Sequence, residues 1–274
     1  QIAKRIIKLT GNSKSRVLLG FILSTGILSM WISNTATALM MLPMALAILA
    51  AMPKKNRKSK FTLFLLLSIA YSASVGGMAT LVGSPPNNAM ASILNKAPYN
   101  LNVDFLGWMK IGMPLSFIMM FVVFGVFYLL MGKERNEKIE LEELAYEPWN
   151  KSQVKVIAIF SVVVFLWITK QLFDSYLGFK YDDFGPALLG SLALFIIPEK
   201  GRGTLLDWKD TKDLPWGILI LFGGGLALAE MFKVNGIITD VSNMFMQYTS
   251  LGLFLILLLV ISVAIFATEL MSNL

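Results

Sequence analysis

The sequence predicts an all-α polytopic membrane protein with inverted repeats, re-entrant helical hairpins and discontinuous helices. Three observations carry that prediction. Hydrophobic residues make up 56% of the chain and charged residues 15%, with a mean hydropathy of +0.67, the composition of membrane spans and not of a soluble domain. The run from Val17 to Met52 contains no charged residue, yet carries the polar cluster Trp31-Ile32-Ser33-Asn34-Thr35-Ala36-Thr37 at its middle. A second apolar arm, Leu251 to Thr268, ends in a similar tip, Glu269-Leu270-Met271-Ser272-Asn273-Leu274.

Composition also excludes chemistry. Cysteine and histidine are both absent, which removes disulfides, thiol catalysis, the usual zinc ligand and the usual general base. An enzyme is not expected, because no paired catalytic constellation is present. The net charge of +7 does not call for nucleic acid, since the basic residues sit in loops between apolar runs, where membrane topology accounts for them. The chain opens at Gln1 without a starting Met or signal pattern and stops right after the second tip, as expected of a segment of a longer protein.

Residues 1–16 carry Lys4, Arg5, Lys8, Lys14 and Arg16 and read as an amphipathic segment at the membrane surface. Residues 17–52 follow. This run of 36 residues is too long for one crossing of about 20 residues and too short for two with a turn. The arm from Val17 to Ile32 rises only about 24 Å against a hydrocarbon core of about 30 Å, so the prediction is a re-entrant hairpin with its tip inside the membrane. Non-helical backbone at that depth must be buried in protein or line a watery cavity, which is what a transport site needs. The exit, Pro53-Lys54-Lys55-Asn56-Arg57-Lys58-Ser59-Lys60, reads as a cytoplasmic loop.

Residues 61–94 form a second long apolar stretch, interrupted at Gly76-Gly77 and at Gly83-Ser84-Pro85-Pro86-Asn87-Asn88. Paired prolines cannot continue a helix, so a broken membrane helix is expected. Broken helices offer free carbonyls to cations and N-termini to anions. Residues 95–107 read as a loop and 108–131 as a membrane helix starting near Lys110. Residues 132–153, with charges of both signs, read as a cytoplasmic or interfacial linker. Residues 154–198 hold two further helices around Asp182-Asp183, and 215–232 another, opened by Pro215-Trp216. Within it Gly223-Gly224-Gly225 suggests close helix packing or an opening toward substrate. Residues 233–249 read as an interfacial connector, and 250–274 as the first arm of a second re-entrant hairpin, truncated.

Basic residues support one topology. With 53–60 cytoplasmic, the inside segments hold 19 of the 24 Lys and Arg residues, and Lys96, Lys110, Lys170, Lys180 and Lys233 are the remainder. The second arm then enters from the side opposite to the first. Opposed hairpins imply inverted repeats and alternating access.

Ile32-Ser33-Asn34-Thr35-Ala36-Thr37, Ala79-Thr80-Leu81-Val82-Gly83-Ser84-Pro85-Pro86-Asn87, Leu221-Phe222-Gly223-Gly224-Gly225 and Thr268-Glu269-Leu270-Met271-Ser272-Asn273 together resemble the divalent anion/sodium symporter family of dicarboxylate, citrate and sulfate carriers. The resemblance covers essentially the whole chain in the family's order. It implies scaffold and transport domains, a homodimer and an elevator-type movement in a multi-pass protein of the bacterial inner membrane. Carried over by residue, it implies a first sodium site from Ser29, Ser33, Asn34 and Gly83, and a partial second one from Thr268, the Met271 carbonyl and Asn273. It implies substrate contacts from Asn34, Thr35, Ser84, Pro85, Ser272 and Asn273. Leu274 departs from the family, which often has Thr there, so one hydroxyl is lost.

The residue types suit that role. Neutral Ser, Asn and Thr donors can bind a dianion and release it, whereas a fixed Arg would form a bidentate pair that holds on. Neither tip contains Lys or Arg, so bound sodium, the coupling ion, would balance the charge. The same hydroxyls and amides also suit plain helix caps. Glu269 suits a structural role or proton coupling. The expected function is sodium-coupled transport of dicarboxylates such as succinate, malate or fumarate. The alternatives are a citrate, sulfate or arsenite carrier, a proton-coupled exchanger, or a non-transporting anion-binding membrane subunit.

Overall fold

A computed structural model of the chain describes residues 11, 13–52, 59–96, 98–139, 150–178, 181–199, 201, 203–213, 216–246 and 252–270. Helices dominate them: α1 (Lys14–Ser29), α2 (Asn34–Ala51), α3 (Lys60–Gly77), α4 (Pro85–Leu94), α5 (Phe105–Met131), α6 (Lys151–Leu177), α7 (Phe184–Ile196), α8 (Trp216–Val234), α9 (Ile237–Met246) and α10 (Leu253–Leu270). A two-residue antiparallel ribbon, β1 (Pro198–Glu199) and β2 (Gly203–Thr204), follows α7. The all-α polytopic membrane class is what the sequence led us to expect. The helices Lys60–Gly77, Phe105–Asn136 and Lys151–Lys170 are long and apolar enough to cross a membrane, and α2, α7 and α10 contain shorter apolar stretches.

Residues 1–208 and 209–274 form two compact units. In the first, α1 and α3 run side by side in the same direction. Lys14 lies over the ring of Phe61 at one end, and Ser29 reaches the Ala73 carbonyl at the other. They meet closely at Gly26 and Gly76, where a Cβ on Gly76 would overlap the Gly26 backbone. Two glycines let the backbones touch, the usual device where helices pack within a membrane. α2 folds back after the short turn Met30–Ser33 and packs on both. Val17, Phe21, Met41, Ala45, Phe61 and Leu65 form the core between the three helices, together with Met120 of α5.

Capping explains where these helices start. Ser13 accepts from Arg16 N, Ser33 from Ala36 N, Ser59 from Thr62 N and Asp104 from Gly107 N, each satisfying an amide with no intrahelical partner. α1 begins at Lys14, three residues ahead of the apolar run, and Lys14 is buried. α5 starts at Phe105, earlier than Lys110, because Asp104 supplies the cap. Pro85 and Pro86 open α4 instead of closing α3. A proline's missing N–H costs nothing in the first turn, so the break lies upstream, in residues 78–84.

The segment after α5 ties the starts of α1 and α3 together. Lys14 Nζ donates to Glu137 at 2.7 Å and lies 3.9 Å from Glu134; Glu134 also accepts from Phe61 N, and Lys60 donates to the Leu130 carbonyl. Lys14, Lys60 and the residues from Leu130 to Glu137 are therefore neighbours. α6 packs on α7, with Gly190 against Val163. Trp31 joins the hairpin turn to this pair, edge-on to Phe160 and stacked on Phe105, which stacks on Trp167.

The second unit contains α8, α9 and α10, and Trp216 Nε1 donates to the Thr211 carbonyl before α8. A Cβ at Gly223, Gly224 or Gly225 would meet nothing within 4 Å among the described residues, so the close packing expected there has no partner among them. The connector 233–249 contains the helix α9.

Candidate functional site

The first hairpin tip and the break between α3 and α4 come together in the structure. Ser29, the last residue of α1, is fully buried, and its Oγ lies 2.8 Å from Asn34 Oδ1 and 2.7 Å from the Ala73 carbonyl oxygen. A hydroxyl has one proton, so this arrangement holds more acceptors than it can satisfy. Asn34 opens α2, and its carboxamide rests on Gly77 where a Cβ would otherwise stand. Gly83 packs against both helices: a Cβ there would come to 2.6 Å from the Gly77 carbonyl oxygen and 3.0 Å from that of Ser29. Ser29, Asn34 and Gly83, three of the four expected first-sodium residues, are thus neighbours, and Ser33 caps α2 beside them.

Four helix ends converge here. The C-termini of α1 and α3 bring carbonyl oxygens, and the N-termini of α2 and α4 bring amide N–H groups and the positive ends of their dipoles. The first set suits a cation, the second an anion. No Lys or Arg lies between Arg16 and Lys54 or between Lys60 and Lys96, so neither tip nor break brings a fixed cation of its own. Thr35 is exposed in the first turn of α2. Ser84, the N-cap residue of α4, is half-buried and makes no side-chain capping bond, and half-buried Pro85 follows it. Among the described residues no group of His, Cys, Asp or Glu could hold a metal ion; the oxygens gathered at this cluster are those of hydroxyls, an amide and backbone carbonyls.

A supporting shell that sequence reading missed fixes the break. Buried Asn87 donates through Nδ2 to the carbonyls of Gly77 and Thr80, both at 2.7 Å. Asn88 donates to the Leu81 carbonyl, and Trp108 Nε1 to that of Met78 at 3.0 Å. The Thr80 hydroxyl donates to the Met30 carbonyl and accepts from Gly83 N, joining the hairpin turn to the break. The signal for Asn87 was present: an amide one turn into a proline-started helix faces back over the loop before it.

Thr268 lies in the last turn of α10. Met271, Ser272 and Asn273 lie outside the described residues, as does Leu274.

The family model described as citrate transporter matches residues 1–274. The chain belongs to the citrate transporter family. It is an integral membrane protein of a transporter family, not an enzyme. Among relatives, it is 33% identical over 297 residues to the sodium-dependent dicarboxylate transporter SdcS of Staphylococcus saprophyticus, covering 100% of this chain and 56% of that protein. It is 34% identical over 268 residues to the SdcS of Staphylococcus aureus (86% of this chain, 49% of that one). It is 35% identical over 281 residues to an uncharacterized transporter of Haemophilus influenzae (99% and 58%). The chain spans about half the length of the curated relatives it matches. This citrate transporter family member has relatives named for sodium-dependent dicarboxylate transport, in accord with the resemblance drawn from its motifs.

Proposed function

We propose that the protein containing this chain is a sodium-coupled secondary transporter of dicarboxylates, working by alternating access with an elevator-type movement as a homodimer. The observation that carries this reading is the Ser29–Asn34–Gly83 cluster, an excess of neutral oxygens at the meeting of four helix ends, in a stretch without fixed cations. Sodium held by Ser29, Ser33, Asn34 and the Gly83 backbone would supply the missing positive charge. It would also order the N-termini of α2 and α4, where Asn34, Thr35, Ser84 and Pro85 face a substrate carboxylate. In the second tip, Thr268, Met271, Ser272 and Asn273 would supply a second sodium site and further substrate contacts. Coupling follows from charge: without the cations the dianion meets only dipoles, and with them it meets net positive charge. The names of the SdcS relatives support sodium and a dicarboxylate. The family's description favours citrate as the second reading.

The test is the thermal stability of the complete purified protein in sodium or potassium, with succinate, citrate or sulfate added. A ligand that binds the folded state raises stability by mass action, by about 2.7 kcal/mol at a hundred times its Kd. A rise with succinate that requires sodium, and is lost in Asn34→Ala with the fold retained, is the expected result. Equal rises in sodium and potassium, or unchanged binding in Asn34→Ala, would overturn the reading.

A further inference from the structure

A cavity of about 510 Å³ lies between α4, the start of α5 and the α6–α7 pair, within the range of about 300–1,000 Å³ in which small molecules bind. None of Ser29, Ser33, Asn34 and Gly83 lines it, so it is apart from the cluster described above. It reaches from the break, where Leu81 and Val82 line it, to Lys96 just past the end of α4. One wall is a single face of α4 and its C-cap, since Asn88, Ser92 and Asn95 stand three and four residues apart. The facing wall is apolar, with Phe105 stacked on Trp167, and with Phe184 and Ala187 of α7.

Most polar groups around the cavity are already engaged. Asn88 donates to the Leu81 carbonyl, and Asn95 exchanges two hydrogen bonds with Val103. Asp183 is paired with Lys170 at 2.8 Å, which neutralises the one carboxylate of the lining. Lys96 and Ser92 have no side-chain partner among the described residues, and both are exposed. They stand four residues apart, on the face of α4 that lines the cavity. The charge of the mouth is therefore set by Lys96.

Depth follows from the same helix. With Lys96 on the outer side, as the distribution of basic residues has it, α4 runs from a break inside the membrane to the surface. Asn88 to Lys96 rises about 12 Å, close to half of a hydrocarbon core of about 30 Å. The cavity thus follows one leaflet, apolar along its length and positive at its outer end.

We propose that this cavity takes one acyl chain of an anionic phospholipid from the outer leaflet, with the lipid phosphate on Lys96. The chain lies against Phe105, Trp167 and Phe184, and Ser92 offers a hydroxyl to the ester group one turn deeper. A small dianion does not suit these walls, because it has no apolar body to bury there and would lose hydration without matching donors. A neutral lipid fills the walls but leaves Lys96 unpaired. The bound chain packs on Leu81 and Val82 and so braces the break against the α6–α7 pair. This inference does not depend on sodium binding at the Ser29–Asn34 cluster.

The test is the thermal stability of the complete purified protein in detergent, titrated with phosphatidylglycerol, with phosphatidylcholine of the same acyl chains, or with oleate. A ligand of the folded state raises stability by mass action. Phosphatidylglycerol is expected to stabilise at a lower midpoint than phosphatidylcholine. Lys96→Gln should reduce that preference by about fivefold, the worth of one lysine near an anionic lipid surface. Lys110→Gln, at an exposed lysine that does not line the cavity, should keep it. Ala187→Phe fills the cavity and should abolish the preference while its melting temperature without lipid is kept. If that variant melts low without lipid, Ser92→Leu replaces it as the filled form. Sodium-dependent stabilisation should be unchanged in all of these variants. Equal response of the wild type to the two phospholipids would overturn the site, as would an unchanged preference in Lys96→Gln or in the filled variant. Loss of the preference in Lys110→Gln to the same extent would show a general surface-charge effect and overturn it too. Stabilisation by oleate at a lower midpoint than phosphatidylglycerol would overturn the phospholipid in favour of a free carboxylate amphiphile.

Discussion

Asn34 of the hairpin lies on Gly77 at the end of α3: a Cβ at Gly77 would stand 3.0 Å from Asn34 Cγ and 3.1 Å from its Nδ2, and closer still to Oδ1. The hairpin amide reaches the broken helix only because this position has no side chain. Gly77→Ala should push Asn34 out of reach of Ser29. The expected result is a loss of about tenfold or more in sodium affinity, equivalent to about 1.4 kcal/mol, read from sodium-dependent melting. An unchanged sodium midpoint would show that Asn34 does not depend on this contact.

The crossing of α1 and α3 predicts two different outcomes for similar changes. A Cβ at Gly76 meets the Gly26 backbone, with Cα at 2.7 Å and the carbonyl carbon at 2.8 Å, which cannot move aside without separating the helices. The three atoms nearest a Cβ at Gly26 all belong to the Met120 side chain, which is flexible and can repack. Gly76→Ala should cost about 1–3 kcal/mol, the range of core overpacking, and Gly26→Ala clearly less. Thermal unfolding in detergent compares them, and an equal loss would count against the distinction.

Asn87 donates to two carbonyls of the break, Gly77 and Thr80. Asn87→Leu leaves both buried acceptors without that donor, at a cost of about 1–3 kcal/mol for each unsatisfied group. Asn87→Asp should be worse, because an ionised carboxylate has no proton to give and faces two carbonyl oxygens. Both melting temperatures should fall, the second further. A wild-type melting temperature for Asn87→Asp would refute this account of the loop.

Lys14 is buried, while its partner Glu137 has a side chain 54% exposed and Glu134 one 29% exposed. Removing either side of the pair should therefore have unequal effects. Lys14→Met fills the same space and leaves carboxylates that water can reach, costing about 1 kcal/mol or less. The double change Glu134→Ala, Glu137→Ala strands a buried ammonium and should cost several times more. Denaturation of the two variants side by side, with Lys14→Met the less stable, would be the contrary finding.

Much of the site was legible as residue type and spacing. The polar island at Ser33-Asn34 in a charge-free run, and the Gly-Ser-Pro-Pro-Asn-Asn interruption, stand out because polar or helix-breaking residues at membrane depth need a reason. Apart from Asn87, whose place in the first turn of α4 was a signal, the supporting shell was not legible. Thr80, Trp108 and Gly77 work through contacts with residues 3 to 50 positions away, and nothing in local periodicity distinguishes a residue that braces a carbonyl from one that faces lipid.

The sequence by itself determined the all-α membrane class, the two interruptions and the absence of any fixed charge at the site, since apolar run length, proline and glycine act locally and through solvent. Only the tertiary structure decided that Pro85 starts a helix instead of ending one, and that Asn34 closes over Gly77. Those facts depend on which helix lies beside which and in what direction. That choice is made by the meeting of Gly26 with Gly76 and by the shared core around Phe21, Met41 and Leu65, which form only when the chain packs.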